Sequence, residues 1–322
     1  MRSVALLDLL KSVTLQTLYP DEIIVVDGSL NAETQAALQK DDFQNLQYFL
    51  VSENFRGLTK QRNFGIAKVN PTSEAICFLD DDTVLESSYF EEIIKTFESD
   101  SEIVGAGGIA INENFWQKKI EGKYYHSKKF YELDGYVYPE GLRNVVRNYL
   151  GLQSPLPPGR MPGFSHGKTC AFPINANTYE VDLLVGMSFS FRKIVYSNIA
   201  FSTYFEGYGL YEDADYCIRA QQFGKLVVNT NAKLSHFHDP SGRPNKYRYG
   251  KMVVRNGWFV WRVKYPNPSL RNIFKWHAIT IVLAVIRFSN IFTTNKKKEA
   301  LTEFLGRMAG WFSLLFNKPA II

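Results

Sequence analysis

The sequence predicts an α/β fold in which a mixed, mainly parallel sheet is flanked by helices and followed by a helical C-terminal extension. Short apolar runs alternate with segments of helical spacing, and two of these runs end in acidic residues. Strands that alternate with helices are typical of a parallel sheet. The 322 residues, 45% of them hydrophobic, suffice to bury a core, which excludes a disordered chain.

The elements of the N-terminal part follow in order along the chain. Apolar residues at helical spacing predict a first helix, and a run of Ile and Val that ends in Asp-Gly-Ser predicts a buried strand leading into a loop. The same reasoning predicts helices over 3–15, 32–40 and 58–69 and strands over 22–29, 46–51 and 74–79.

Acidic residues follow two of the predicted strands. Asp27 ends the first strand, and Asp80, Asp81 and Asp82 follow the third. Ligands of α/β sheets bind beyond the carboxyl ends of the strands, so these residues are expected at one edge. Carboxylates suit Mg²⁺ or Mn²⁺, and alternating side-chain directions point Asp80 and Asp82 the same way. The alternative is a solvated acidic turn.

A second polar cluster surrounds the predicted helix 216–223 and strand 225–234. Glu212 and Asp213 precede the helix, where a carboxylate can cap the helix or accept a proton from a hydroxyl. His236 and His238 follow the strand, and either a metal or phosphate role or a structural role fits them.

The C-terminal stretch is basic and aromatic. From Arg243 onward there are 15 Lys and Arg but two acids, so this stretch carries +13 within a net charge of +5. Aromatic and basic residues beside apolar helices favour an anionic membrane surface over nucleic acid, for which no reading module is visible. The apolar run 278–286 stops at Arg287, short of the ~20 residues that cross a bilayer, so it is expected to lie on the membrane. The alternative is an amphipathic helix pair packed on the protein's own core.

Cysteine usage and the N-terminus indicate a location inside the cell. Cys77, Cys170 and Cys217 are odd in number and lack metal-binding spacing. The first residues lack the apolar run and cleavage site of a secretory signal. We therefore expect a cytoplasmic protein.

Several segments together resemble the inverting glycosyltransferases of family 2, which have the GT-A (Rossmann-like) fold. They are EIIVVDGS, GLTKQRNFGIA, ICFLDDDT, VDLLVGMSFSFR, FEGYGLYEDADYCIRAQQFGKL and AKLSH. In order and spacing they cover residues 4–239, and jointly they are a specific signal.

The resemblance assigns roles on the donor side. It implies that Asp27 contacts the nucleotide base and that Arg62 and Asn63 lie near the nucleotide. It matches Asp80 and Asp82 to the ends of the DxD motif, which binds ribose and metal, with Asp81 between them among the nucleotide-sugar-binding residues.

The resemblance also assigns the reacting groups. Asp213 matches the carboxylate taken as catalytic base, with Glu212 beside it. His236 matches a histidine that completes the Mg²⁺ or Mn²⁺ site with Asp80 and Asp82, and His238 is the fallback.

The remaining segments complete the expected domain plan. The family usually opens with a strand that ends in Pro-x-Tyr-Asn-Arg, whereas this sequence begins at the following helix, so the first strand is expected to be missing. Residues 1–242 are interpreted as the GT-A domain, with 116–177 as a variable insertion on the acceptor side. Residues 243–322 form the extension, which is similar to those of rhamnosyltransferase-like enzymes of bacterial surface polysaccharide.

These features predict a transferase that moves a sugar from a nucleotide-diphosphate sugar to a hydroxyl of a glycan or polyprenyl-linked glycan. The reaction would be inverting and metal-dependent, at the inner face of the plasma membrane. Two alternatives stay open. One is an inactive membrane-associated scaffold derived from such an enzyme, and the other is a sugar-1-phosphate nucleotidyltransferase, for which no Gly-rich phosphate loop is visible near the start.

Overall fold

A computed structural model describes residues 2–238 and 244–321. It has a mixed α/β fold with a central sheet, flanking helices and a helical C-terminal part, which confirms the predicted fold class. The chain divides into two compact units. Unit 1 comprises Met1–Asn114 and Cys170–Ser241, and unit 2 comprises Phe115–Thr169 and Gly242–Ile322.

Unit 1 contains the alternating elements that the sequence predicts. Its helices are α1 (Ser3–Thr14), α2 (Glu33–Leu38), α3 (Leu58–Ile66), α4 (Tyr89–Ser99), α6 (Lys193–Tyr196) and α7 (Glu212–Ala220). Its strands are β1 (Ile23–Asp27), β2 (Leu46–Leu50), β3 (Ala75–Leu79), β4 (Thr83–Leu85), β5 (Ile103–Ala110), β9 (Thr178–Val181), β10 (Ser188–Arg192) and β11 (Lys225–His236). Each predicted N-terminal element is therefore present, with shifts of at most three residues at its ends.

Two sheets organise unit 1. β1 and β2 pair in parallel, and a second sheet has the order β3-β10-β5-β11-β4, with β9 on β11. In this second sheet β5 and β11 run parallel, and the other described pairings are antiparallel. Strand β10 lies between β3 and β5 and runs in the opposite direction to both. The central sheet is thus mixed, with more antiparallel pairing than the sequence predicts.

The core of unit 1 lies between the second sheet and its helices. α4 places Tyr89, Ile93 and Phe97 against the sheet, and all three are buried. β5 passes close beneath them. A Cβ atom at Gly108 would lie only 2.4 Å from the carbonyl oxygen of Ala232 and 2.5 Å from the Tyr89 ring. Glycine at this position therefore allows helix α4 and strand β11 to pack closely around β5.

Unit 2 combines a small antiparallel sheet with helices. Its strands are β6 (Gln117–Lys118), β7 (Phe130–Leu133) and β8 (Tyr136–Pro139), and its helices are α5 (Leu142–Tyr149), α8 (Lys246–Lys264), α9 (Leu270–Thr293) and α10 (Lys297–Phe316). This division by packing groups 115–169 with the C-terminal helices, whereas the sequence pattern counts 116–177 with the GT-A domain. The expected boundary at 242/243 lies outside the described residues.

Helix α9 is longer than the apolar run that predicted it. It continues through Arg287 to 24 residues, because the Arg287 guanidinium contacts the buried Glu303 carboxylate of α10 (Nε–Oε2 2.9 Å). In the described part of the chain, α9 alone is long and apolar enough to span a membrane, by length and composition only; 17% of its most apolar window is buried. The expectation that the apolar run 278–286 lies on a membrane surface stays a prediction.

Candidate functional site

Asp27 ends β1 as a buried, ionised carboxylate. Its oxygens accept hydrogen bonds from the Ser29 main-chain N–H (2.7 Å), the Ser29 hydroxyl and the Tyr48 hydroxyl (2.8 Å). Burial alone would raise the pKa of Asp27, but these donors outweigh it and hold the pKa below its ordinary value. The side chain is therefore a fixed acceptor at the end of the strand.

Helix α3 lies beside the ends of both β1 and β3. Gln61 donates from Nε2 to the carbonyl oxygen of Val26 (2.9 Å), and the next residue, Arg62, donates from Nη2 to Oδ1 of Asp80 (3.2 Å). Two consecutive helix residues thus connect the end of β1 with the acidic cluster.

The cluster after β3 separates into two parts. Ligand atoms of Asp80, Asp82 and His236 lie within 4.8 Å of one another, and the Asp82 side chain is buried. Asp81 lies outside this group and binds the guanidinium of Arg2, which also donates from Nη1 to Oδ2 of Asp82 (2.9 Å).

The first part suits a divalent cation. Burial and the neighbouring Asp82 carboxylate raise the pKa of Asp80 despite the Arg62 guanidinium. Carboxylates that crowd in this way are stabilised by a cation. The donor set of two carboxylates and one imidazole fits Mn²⁺, and Mg²⁺ when waters complete its shell. The Asp82 carboxylate also contacts the guanidinium of Arg2, so it already has a positively charged partner in the protein.

Arg62 connects the acidic cluster to helix α7. Its Nη1 donates to Oε1 of Glu212, and its Nη2 donates to the carbonyl oxygen of Gly186 (3.0 Å) as well as to Asp80. The side chain is buried and its guanidinium lies 4.9 Å from the centre of the Phe189 ring. One buried cation therefore bridges the two acidic motifs.

Asn63 has a different environment from the one expected of a nucleotide contact. Its Nδ2 donates to the carbonyl oxygen of Phe201 (2.9 Å), and its Oδ1 accepts from the main-chain N–H of Phe201 (2.8 Å). In this structure the Asn63 amide fixes a loop of unit 1.

The first turn of α7 presents Glu212 and Asp213. The helix begins after Tyr211, which has a left-handed backbone (φ 74°), and so it begins four residues before the predicted helix 216–223. Glu212 is buried, and burial together with the Asp213 charge raises its pKa to about 8 against the Arg62 guanidinium.

Asp213 is held by main-chain donors. Its Oδ2 accepts from Gly186 N–H (3.0 Å) and its Oδ1 from its neighbour Ala214 (2.8 Å). Burial raises the pKa of Asp213, and these donors offset only part of the rise. A Cβ atom at Gly186 would lie 3.1 Å from Oδ2 of Asp213, so a side chain there would require the carboxylate to shift.

His236 and His238 lie near the end of β11, which extends two residues past the predicted strand. Nε2 of His236 is 3.4 Å from Oδ1 of Asp82, whereas Nε2 of His238 is 2.6 Å from Oε1 of Glu113. The structure thus brings His236 to the acidic cluster and directs His238 to a glutamate.

Sequence reasoning missed Asn112 and Glu113, which contact the histidines, and Tyr48, which binds Asp27. For Asn112 and Glu113 the sequence did contain a signal, because a polar Asn-Glu-Asn run follows the apolar strand β5.

The N-terminal part of the chain matches a known family. Residues 2–152, slightly less than half of the 322 residues, match the family model described as glycosyl transferase family 2. This match confirms the resemblance that the motifs indicate.

Solved structures of glycosyltransferases share the GT-A fold. A mannosyltransferase of Pyrobaculum calidifontis in complex with GDP-Man and Mn²⁺ is 11% identical, with a TM-score of 0.54 over 99% of this chain and 85% of that one. GalNAc-T7 with UDP, GalNAc and Mn²⁺ is 14% identical (TM-score 0.52; 85% and 52% covered). Residues 1–349 of S. aureus TarS are 15% identical (TM-score 0.51; 96% and 76% covered). At these identities the likeness concerns the fold, and no curated protein sequence matches the chain.

Proposed function

We propose that this protein transfers a sugar from a nucleotide-diphosphate sugar to a hydroxyl of a glycan or lipid-linked glycan, with inversion and with Mg²⁺ or Mn²⁺. The observation that carries the proposal is the buried Arg62, which contacts both Asp80 of the metal-binding group and Glu212 beside Asp213. This contact supports a site in which donor binding and proton removal take place around Arg62.

The donor half of the proposal rests on Asp27 and the acidic cluster. An ionised Asp27 accepts hydrogen bonds from the N–H groups of a nucleotide base. Asp80, Asp82 and His236 would hold the cation, which would stabilise the leaving nucleoside diphosphate by Lewis-acid catalysis. The mannosyltransferase and GalNAc-T7, both solved with nucleotide or nucleotide sugar and Mn²⁺, support this class of donor.

The acceptor half rests on Asp213. Gly186 and Ala214 fix the carboxylate, and burial raises its pKa, which makes it a better proton acceptor than an ordinary aspartate. Asp213 would take the proton of the attacking hydroxyl while that oxygen attacks the anomeric carbon from the face opposite the leaving group. A single displacement of this kind inverts the configuration and needs no covalent enzyme intermediate.

Unit 2 supports a membrane setting for the acceptor. Phe274, Phe292 and Phe316 of α9 and α10 are 73%, 78% and 90% exposed, and Lys296, Lys297 and Lys298, where α10 begins, are exposed as well. Exposed aromatics beside lysines suit the interface of an anionic membrane. We therefore propose a cytoplasmic enzyme attached to the inner face of the plasma membrane, acting on a polyprenyl-linked acceptor in surface-polysaccharide synthesis, with a hexosyl or rhamnosyl donor.

Calorimetric titration with UDP, dTDP and GDP, with and without Mn²⁺, tests the proposal. We expect one nucleotide to bind in a Mn²⁺-dependent manner, and Asp82→Ala to abolish this dependence. Glu98→Ala on the exposed face of α4 is the control for removal of a carboxylate. Mn²⁺-dependent hydrolysis of the corresponding nucleotide sugar without acceptor would follow.

The outcomes separate the alternatives. Absence of binding by every nucleotide would contradict the transferase and favour a scaffold. Release of pyrophosphate from a nucleoside triphosphate and a sugar 1-phosphate would instead identify a nucleotidyltransferase.

A further inference from the structure

A short 3-10 turn, Ile111–Glu113, follows β5 and lies against the end of β11. The parallel pairing of the two strands causes this, because Leu234 is in register with Ala110 and the residues that follow on each chain continue side by side. Two consecutive residues of the turn, Asn112 and Glu113, contact His236 in different ways.

Asn112 fixes the main chain of His236. Its Nδ2 donates to the carbonyl oxygen of His236 (2.8 Å), and its Oδ1 accepts from the main-chain N–H of His236 (3.0 Å). On its other edge, His236 is in register with Thr83 of β4. One asparagine thus extends the pairing of β11 at the position of the histidine.

Glu113 addresses the ring of His236. The two ring nitrogens face two carboxylates: Nδ1 is 3.2 Å from Oε1 of Glu113, and Nε2 is 3.4 Å from Oδ1 of Asp82. When a cation occupies the group of Asp80, Asp82 and His236, it would take the Nε2 lone pair, and the proton on Nδ1 would then lie on the side of Glu113. A metal-binding histidine commonly donates its second N–H to such a carboxylate, which fixes the tautomer and the ring orientation.

His238 contacts Glu113 from the other side. Its Nε2 lies 2.6 Å from the same Oε1 atom, and its ring centre is 4.0 Å from that of His236. Its backbone is left-handed (φ 43°), which turns the ring back over His236. Glu113, His236 and His238 also lie within ligand distance of one another, but a cation there would take Nδ1 of His236 and not the nitrogen that faces Asp82.

From these contacts we infer that Asn112 and Glu113 are positioning residues for His236, and that His238 holds Glu113 and is not itself a metal ligand. The inference rests on the proposed function, in which Asp80, Asp82 and His236 hold the cation. It assigns roles to two residues of the turn and decides between the two histidines.

Mn²⁺ binding to the purified full chain, followed by the paramagnetic resonance of free Mn²⁺, tests the inference. We expect Glu113→Ala to weaken Mn²⁺ binding roughly 10- to 100-fold. Glu113→Gln keeps an acceptor for the ring N–H and should restore most of the affinity. His236→Ala should abolish binding, His238→Ala should weaken it less than tenfold, and Glu98→Ala should match the wild type.

Rescue by Glu113→Gln separates positioning from a general loss of structure, because a disrupted turn would weaken Mn²⁺ binding in both Glu113 variants. Asn112→Ala should also weaken Mn²⁺ binding, because it loosens the main chain of His236.

Three results would overturn the inference: wild-type Mn²⁺ affinity in Glu113→Ala, an affinity in Glu113→Gln as low as in Glu113→Ala, or a loss in His238→Ala as large as in His236→Ala. If the wild type bound no Mn²⁺, the metal dependence of the proposed function would fail. If the wild type bound Mn²⁺ and one of the three results were obtained, the inference alone would fail.

Discussion

Arg62 determines the electrostatics of the candidate site at the scale of single residues. A buried guanidinium is stable only when its donors are paired, and here they contact Asp80, Glu212 and the carbonyl oxygen of Gly186. The two carboxylates of α7 differ in their hydrogen-bond partners. Glu212 contacts Arg62, whereas Asp213 is held by main-chain N–H groups and is the carboxylate proposed above as the base.

Asp213→Asn should remove transfer and keep donor binding. The amide cannot accept a proton, so we expect turnover to fall by about 10²- to 10⁴-fold while Mn²⁺-dependent nucleotide affinity stays near that of the wild type. Turnover and calorimetric titration of the same preparation measure both effects. Normal turnover of the variant would exclude Asp213 as the base.

The pH dependence of turnover should report the same carboxylate. Transfer requires the ionised form, and burial raises the pKa of Asp213 above 3.8, so turnover should fall as the pH drops through that raised value. A profile of turnover against pH, with circular dichroism to verify that the protein stays folded, is the measurement. An acid limb at or below 3.8 would contradict the assignment.

Glu212→Gln should change how stability depends on pH. The folded-state pKa of about 8 lies above the unfolded value of 4.5, so between these pH values the folded protein retains a proton that the unfolded chain releases. Wild-type stability from this group therefore falls as the pH rises from 4.5 to 8, by at most about 1.4 kcal/mol per pH unit. The glutamine, always neutral, lacks this loss.

Urea unfolding at pH 5 and at pH 8 checks this prediction. The free energy of unfolding of Glu212→Gln relative to the wild type should increase with pH, whereas that of the exposed Glu98→Gln should stay constant. A relative stability of Glu212→Gln that decreases with pH would show that the Arg62 pair keeps Glu212 ionised.

At the scale of elements, the local sequence pattern was sufficient to predict the helices and strands of the N-terminal half. Alternating apolar runs and helical spacing predicted α1, β1 and β3, because each packs apolar residues against the same core. The ends of α7 and β11 were set by other parts of the fold. α7 starts at Glu212 because Tyr211 adopts a left-handed backbone, and β11 extends to His236 because β4 pairs with it there.

The contacts around His236 illustrate what the sequence could not predict. Asn112 lies 124 residues from His236, and the two meet only because β5 and β11 are neighbours in the sheet. No local pattern encodes that neighbourhood. Roles taken from the motifs located the residues of the candidate site, whereas the supporting contacts required the strand order.

Helices α8 and α10 approach each other through glycines, and this contact can be tested. A Cβ atom at Gly306 would lie 2.1 Å from the carbonyl oxygen of Tyr247, which is main chain and cannot move without the helix. We therefore expect Gly306→Ala to destabilise the protein by about 1–3 kcal/mol, although alanine favours a helix by itself. Urea unfolding of the two proteins measures the difference.

Gly141→Ala is the matched control in the same unit, because an added Cβ atom there has no neighbour within 4 Å. It should leave the free energy of unfolding nearly unchanged. Equal stability of Gly306→Ala and the wild type would mean that the helices separate at little cost.

At the scale of the whole molecule, charge is distributed unevenly along the chain. The stretch from Arg243 onward carries +13, which leaves −8 for the rest. The acidic part contains the cluster that suits a divalent cation, whereas the basic part carries exposed aromatic side chains on α9 and α10. Such a distribution favours attachment to an anionic surface through unit 2.

Flotation with lipid vesicles tests this attachment. The wild type should float with phosphatidylglycerol-containing vesicles and weakly with pure phosphatidylcholine. Changing Lys296, Lys297 and Lys298 together to Gln should lower the affinity for anionic vesicles roughly 100-fold, since each lysine near the surface contributes about 1 kcal/mol. Changing Phe292, Phe312 and Phe316 to Ser should lower binding to both kinds of vesicle, because it removes apolar surface that the bilayer would bury.

Salt separates the two ways in which α9 can meet the bilayer. An amphipathic surface helix should dissociate from vesicles at high salt and alkaline pH, whereas a helix that spans the bilayer should resist both, and its 24 residues are long enough for that. If the lysine variants floated like the wild type and salt still released the protein, the electrostatic contact would lie at basic residues elsewhere in unit 2. Absence of flotation by the wild type would mean that the exposed aromatic residues of α9 and α10 serve another partner.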